Sequence, residues 1–296
     1  MTKKELTGYI YAGLASLALA NSFIFSKLSF EYVNFYQFGF FWFLTGTIWN
    51  FIYLFTIRSR NKFSFRKSAR GITKNLMLVS ILEAVATGLF YYAILIMENP
   101  GVVSFIGNIG PVLVVIFGVI FLKESFNKIQ FVGIVLALGG VFALSLNGFH
   151  SLNDLFKPGT QYVFFAAFLF SIATIIARKK RETIDPGVLS VVRAIILFLG
   201  FVIIAIIEKL SLSIPIKAWV LLSLGSFLEV FITIVFAYKS LQYIQAFKTS
   251  IIISTKGFFA LLSAWIFLSL TPLNIEILGG VISILGVVLV SVQKKK

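Results

Sequence analysis

Ser80 to Thr87 read SILEAVAT, and they place a carboxylate, Glu83, inside an apolar run long enough to cross a membrane. The pattern recurs at Ser226 to Thr233 as SFLEVFIT, so that Ser80 and Ser226, Leu82 and Leu228, Glu83 and Glu229, and Thr87 and Thr233 occupy matching places. The copies lie 146 residues apart in a chain of 296. Two carboxylates related by an internal duplication are therefore the first candidates for a functional site.

Composition decides the class. Hydrophobic residues make up 59% of the chain and charged residues 12%, with a mean hydropathy of +0.98, more apolar surface than a water-soluble core can hide. A membrane-crossing helix needs about 20 mainly apolar residues. Ten segments come near that length: 8–27, 35–57, 75–97, 101–122, 129–147, 160–177, 187–207, 217–238, 246–270 and 273–292. Met1 to Glu5 lead into the first span with no small-residue cleavage site, so that span is expected to stay in the mature protein. There is no cysteine, and the only histidine, His150, falls in a predicted loop. No metal site, no cofactor and no Ser-His pair within the membrane are expected.

The formal charge of +15 finds its explanation in topology. With the N-terminus in the cytoplasm, twenty basic residues fall inside, including seven of the join 58–74 (RSRNKFSFRKSARGITK). Lys27, Lys157, Lys209 and Lys217 remain outside, and Arg193 and Lys256 lie within spans. This bias is the positive-inside pattern of a protein with both termini cytoplasmic, and it requires no nucleic-acid partner. The cell membrane is the expected location.

Five spans per copy is an odd number, so the two copies must cross the membrane in opposite directions. Phe121 to Val141 (FLKESFNKIQFVGIVLALGGV) aligns with Phe267 to Val287 (FLSLTPLNIEILGGVISILGV) at the same offset of 146 residues. The copy assigned inside carries Lys123, Glu124 and Lys128, where the copy assigned outside has Ser269, Leu270 and Asn274. The expected fold class is an all-α polytopic membrane protein of ten transmembrane helices in two inverted five-helix repeats. Its divisions are 1–147 and 160–296, joined by an extracytoplasmic linker at 148–159. Inverted repeats are a recurrent plan of secondary transporters, with the solute site near the midplane where the repeats meet.

The ten spans, the 5+5 repeat, the segment FYYAILIMENPGVVSFIGNIGPVLVVIFGVIFLKES and the glycine-rich span GIVLALGGVFAL together resemble the drug/metabolite transporter superfamily, specifically its EamA-type members. The likeness covers essentially the whole chain. It is strongest where an apolar helix closes on a Gly/Leu-x-Glu loop before a glycine-rich helix, here Leu122, Lys123 and Glu124. The first span has LALANSF where the family often has a Trp-Gly pair. Of the arginines the family often places early in the second span of each repeat, only Arg193 is present, with Trp42 near the equivalent place in the first half.

Depth singles out the two acids. Glu83 lies about nine residues past Lys74, roughly 13 Å into a core about 30 Å thick. Glu229 enters from the opposite face to nearly the same level. Ser80, Glu83, Thr87 and Tyr91 share one helix face by their spacing of three, four and four. An ionised group at this depth is costly and welcomes a proton or a cation. The bland reading is mutual neutralisation with the two cations inside spans. Lys256 is the deeper and the expected internal partner, whereas Arg193, about eight residues from Asp185, has the reach to snorkel. GNIGP, Gly107 to Pro111, puts a proline in the fourth span and predicts a bend there with a gating role. Most of the 34 phenylalanines are assigned to lipid contact or helix packing. Tyr91, Tyr92, Tyr238, Trp42 and Trp265 stand apart, since aromatic walls beside a carboxylate suit an organic ammonium ion.

The reading that emerges is a secondary transporter of a small organic solute working by alternating access. Glu83 and Glu229 bind substrate or coupling proton. Ser80, Thr87, Ser226, Thr233 and Asn108 orient the solute, and Tyr91, Tyr92 and Tyr238 supply walls. Amines, quaternary ammonium compounds and amino acids fit this composition better than phosphorylated sugars. Expected partners are that small-molecule substrate and the lipid bilayer, with a homodimer left open. A channel or scaffold is the alternative. An integral-membrane enzyme on lipid-linked substrates is less favoured, since the sequence offers no dense polar cluster at one membrane face.

Overall fold

The structure is a computed structural model that describes residues 2–56, 73–97, 103, 106–145, 158–269 and 271–291. Most of the basic join 58–74, most of the linker 148–159 with His150, and the C-terminal lysines lie outside those residues. Ten apolar helices make up the described chain, without a strand among its residues. They are α1 (Lys3–Ser29), α2 (Phe35–Thr56), α3 (Lys74–Ile96), α4 (Ile109–Leu122), α5 (Lys128–Ser145), α6 (Thr160–Lys179), α7 (Pro186–Ile207), α8 (Ile216–Tyr243), α9 (Ala246–Phe267) and α10 (Asn274–Ser291). Each expected span overlaps one helix, the fourth (101–122) over Ile109–Leu122.

Local chemistry sets the starts. Thr73 accepts a hydrogen bond from the Leu76 N–H ahead of α3. Asp185 accepts from Val188 ahead of α7, with Pro186 at the first helical position. Each cap satisfies a donor that has no partner inside its helix.

Two helices are not continuous. α8 runs as an α-helix to Ser226, as a π-helix over Phe227–Thr233, and as an α-helix again from Ile234. α9 breaks at Thr255 into Ala246–Ser254 and Lys256–Leu268. The matching interruption in the first half is a turn at Asn108, one residue from the 146-residue register. The bend expected over Gly107 to Pro111 falls at Asn108, three residues before the proline. Pro111 sits in the first turn of α4, where its missing N–H costs no intrahelical bond. Serines from the opposite half close both breaks: Ser171 of α6 donates to the Gly110 carbonyl, and Ser16 of α1 to that of Ile253.

Packing follows a two-fold exchange of halves. α5 packs on α10 and α2 on α7; α3 on α6 is mirrored by α8 on α1, α4 on α6 by α9 on α1, and α3 on α7 by α8 on α2. The α5–α10 seam is backbone against backbone. A Cβ at Gly133 would stand 2.7 Å from the Val290 nitrogen and 2.8 Å from the Gly286 oxygen, so only a residue without a side chain permits this approach. The duplication reaches backbone conformation too. α4 and α9 both end on a left-handed residue, Lys123 at φ 54° and Ser269 at φ 55°, whose N–H groups return to Gly118 and Ala264.

The first half reaches across to hold the second at Glu124, in the loop between α4 and α5. Its carboxylate accepts from the N–H groups of Ala246 and Phe247 at the start of α9, at 2.8 and 3.3 Å, and lies 3.8 Å from the Arg178 Nε. Burial pushes its carboxyl above the ordinary 4.5, against the lowering effect of those two N–H donors and of the charges on Arg178 and Lys248. A group whose folded pKa is raised makes the protein lose stability as pH climbs from its unfolded value through its folded value. Glu124→Ala is expected to cost about 1–3 kcal/mol by orphaning buried donors. It should also weaken the decline in melting temperature expected of the parent as pH rises above 4.5. Scanning fluorimetry across pH checks both, and a variant curve parallel to the parent's refutes the cap.

Candidate functional site

Near the middle of the bundle, α3, α7 and α8 bring one cluster together around Glu83. The carboxylate is buried. Tyr238 donates its hydroxyl to Oε1 at 2.5 Å, and the Arg193 Nε lies 3.3 Å from Oε2. Arg193, 2% exposed, also donates from Nη2 to the Thr87 hydroxyl at 2.8 Å. Its Nε and Nη1 lack a geometrically good hydrogen bond, as does the buried Ser80 hydroxyl.

The pairing expected from depth is corrected here. Arg193 does not snorkel; it is the ion-pair partner of Glu83. Lys256 makes no ion pair among the described residues and reaches Glu229 only through its longer-range charge. The reason is rotational. Arg193 lies on the face of α7 turned toward α3, whereas Lys256 opens the second segment of α9, whose neighbours are α1 and α10.

Glu229 is the exchange image of Glu83 with different chemistry. Trp42 of α2 donates its indole N–H to Oε2 at 2.9 Å, and Tyr91 of α3 donates its hydroxyl to the same oxygen at 3.3 Å. The tyrosines thus cross over, Tyr238 of α8 serving the acid on α3 and Tyr91 of α3 the acid on α8. Trp42 stands where Arg193 stands in the other half. Glu229 is half-buried, no described residue forms an ion pair with it, and Oε1 takes no hydrogen bond from the described residues. Arg193 acts electrostatically on both acids.

The π-turn that carries Glu229 is locked from outside. Asn50 of α2 and Ser190 of α7 both donate to the Val230 carbonyl, at 3.3 and 2.9 Å, and Thr233 donates back to Leu228, five residues earlier. π-turns within α-helices concentrate at functional sites. This feature was missed from sequence, although Asn50 and Ser190 were visible as polar residues inside apolar spans.

Other candidates lie apart. Ser226 bonds with Thr45, and Thr233 also reaches the Ala15 carbonyl. Asn108 donates to Ser145 and to the Val141 carbonyl within its own half. Trp265 is exposed. A cavity of about 450 Å³ opens between α3 and α7 toward the end where Ile96 and Ile207 lie. Ala84, Tyr91, Leu197, Gly200 and Phe201 are among its walls, with Phe35 and Tyr36 beside them and Glu208 at its rim. Tyr92 lines it as well, 46% exposed and edge-on to Tyr162. The hydroxyl of Tyr91 joins this cavity to Glu229, and its ring packs among those of Phe35, Phe38 and Phe43.

A family model described as the EamA-like transporter family matches residues 6–146 and again 157–292. The chain belongs to the EamA-like transporter family. A curated protein of Synechocystis sp. described as an uncharacterized transporter is 28% identical to it over 244 residues, 78% of this chain and 69% of that protein. A solved crystal structure superposes on this EamA-like transporter with a TM-score of 0.77, covering 96% of each chain at 13% identity, a likeness of fold. The double family match agrees with the internal duplication read from SILEAVAT, and the fold is that of a polytopic membrane transporter.

Removing one partner of a buried ion pair leaves an uncompensated charge, which costs about 3–5 kcal/mol. Arg193→Gln is therefore expected to lower the melting temperature sharply, and Glu83→Gln added to it should restore most of the loss. A double-mutant cycle by thermal denaturation in detergent measures this. Additive losses would show that the two side chains do not pair.

Proposed function

We propose that this EamA-like transporter moves a small organic amine, quaternary ammonium compound or amino acid by alternating access, with Glu229 as the residue that exchanges substrate and coupling proton. The observation that carries the reading is the unequal treatment of the two acids. Glu83 is neutralised by Arg193 at 3.3 Å, while Glu229 is held by two neutral donors beside the aromatic cavity. One carboxylate has a guanidinium beside it, while the other meets a cation, Lys256, only at longer range, which leaves a place at Glu229 that a proton or an organic cation can fill. The rings of Tyr91, Phe35, Tyr36 and Phe201 supply the apolar and cation–π surface that an organic ammonium prefers to water.

In this reading the two repeats, 1–147 and 160–296, rock about the central acids, joined by the linker at 148–159. The basic residues put both termini in the cytoplasm of a cell-membrane protein, so the cavity between α3 and α7 opens to the outside. Trp42 and Tyr91, from α2 and α3 of the first half, grip the acid on α8 of the second. Rocking of the halves therefore changes the donors around Glu229 and with them its hold on a proton.

Glu229→Gln keeps the shape and both neutral contacts but removes the charge. Solute accumulation driven by a pH gradient in proteoliposomes is expected to fall on the order of tenfold or more, the worth of one charge-assisted contact. The pH dependence of uptake should flatten, and counterflow of labelled solute should persist. Full accumulation with an unchanged pH profile would sink the coupling role. Absence of counterflow in the parent would favour a channel.

A further inference from the structure

The cavity at the Ile96 and Ile207 end has an image at the opposite end, found by exchanging its lining helices α3 and α7 for α8 and α2. Ala84 of α3, which lines the cavity, maps onto Val230, and Leu197 and Ile204 of α7, which line it too, map onto Gly46 and Tyr53 of α2 in the register that sets Trp42 against Arg193. A Cβ at Gly46 would stand 2.6 Å from Val230, and Asn50 donates to the Val230 carbonyl, so α2 and α8 meet at this end where α7 and α3 flank the cavity. What draws the helices together there is a lysine. The Lys239 ammonium on α8 stands 5.5 Å from the ring centre of Tyr11 on α1, 5.8 Å from that of Tyr53 on α2, and 5.8 Å from that of Phe236. The rings are themselves anchored. Tyr11 packs on Phe236 and Tyr243, and Tyr53 packs on Phe231 and lies over Gly187 in the first turn of α7.

A lysine four residues from the end of its helix is about 6 Å below that end, within reach of the membrane surface, and an unrestrained one extends toward water. Lys239 is only half-buried, yet its ammonium stays among rings from three helices, and no described carboxylate forms an ion pair with it. A cation over several aromatic faces is held by their quadrupoles, most strongly where water is scarce. The tie runs between α8 of the second half and α1 and α2 of the first, the helices that must separate for this end to open.

We propose that Lys239 with Tyr11, Tyr53 and Phe236 is the gate of the closed end: a tethered ammonium in an aromatic box that latches α8 to α1 and α2 and lets go when the opposite cavity shuts. The inference rests on the alternating-access reading. It assigns a transport-cycle role to a residue whose charge otherwise reads as one more cytoplasmic lysine.

The chain has no cysteine, so single thiols report each end on an otherwise native background. Gly200→Cys marks the open cavity, where an added side chain meets nothing within 4 Å. Leu54→Cys, at a buried position beside Tyr53, marks the closed end. In nanodiscs with a charged thiol reagent, Gly200→Cys is expected to label quickly and Leu54→Cys slowly. Adding Lys239→Met should speed labelling at Leu54→Cys about tenfold, the factor that loss of a desolvated cation–π contact carries, and slow it at Gly200→Cys. Lys239→Arg keeps a cation over the rings and should leave both rates near the parent's. An unchanged Leu54→Cys rate with Lys239→Met overturns the gate. So does acceleration at both ends, which marks general loosening in place of an exchange of states. The rates are read without solute, so failure of this test is distinguishable from failure of the coupling role at Glu229.

Discussion

A carboxylate in the middle of a bilayer protein must be answered by its own chain, and the pairing of Glu83 with Arg193 is the contact on which the centre of this bundle depends. Neither residue has water to fall back on. The desolvation of two buried charges is repaid only by close geometry and by further hydrogen bonds to their remaining atoms. Tyr238 and Thr87 provide those bonds, so four side chains from α3, α7 and α8 are fixed by one electrostatic demand. Such a cluster contributes less to net stability than its Coulomb energy implies. What it does set is the rotation and level of α3 against α7, because a slip of either helix by one residue would strand a charge.

The duplication supplies two equivalent frames and the side chains make them unequal. Tyrosines cross between α3 and α8 in both directions, but the second helix of each half answers its acid differently, with a guanidinium from α7 and an indole N–H from α2. Arg193 in one half and Trp42 in the other separate an ion-paired carboxylate from one held by neutral donors. A fully symmetric arrangement would have locked both acids in ion pairs or left both unpaired. The observed one keeps an ion pair beside a carboxylate held by neutral donors at almost the same depth, and among the described residues the second oxygen of Glu229, on its π-turn, takes no hydrogen bond.

Much of this was legible in the chain. Apolar length yielded ten helices, and the 146-residue echo of SILEAVAT yielded the duplication and the near-equal depth of the two acids. Counting residues from a helix end measures distance along the axis, however, and is silent about the direction a side chain takes around it. For that reason depth favoured Lys256 as the buried partner, while packing turned Arg193 toward Glu83. The π-turn was hidden for a related reason: SILEAVAT and SFLEVFIT share their polar residues, yet the first stays α-helical. The difference lies in Asn50 and Ser190, distant in sequence, which converge on the Val230 carbonyl and reward an opened turn. Asn108 was singled out because it is polar within a span, and its partner, Ser145, lies in its own half.

The two ends of the bundle also differ in material, which limits how the molecule can alternate between them. The open end is smooth on its α3 and α7 walls, where Gly88 and Gly200 leave room and aromatic rings face the space. The other end sets Gly46 against Val230 at matching places and holds a cation on aromatic faces between its helices. Closing the first therefore means bringing rings and glycine-lined backbone together, an apolar contact that forms as water leaves. Opening the second means drawing an ammonium off its rings toward water, where the gain in hydration offsets the lost attraction. In the proposed cycle each step trades one kind of interaction for another, and a solute or proton at Glu229 shifts the balance only by as much as it is held more tightly in one state than in the other.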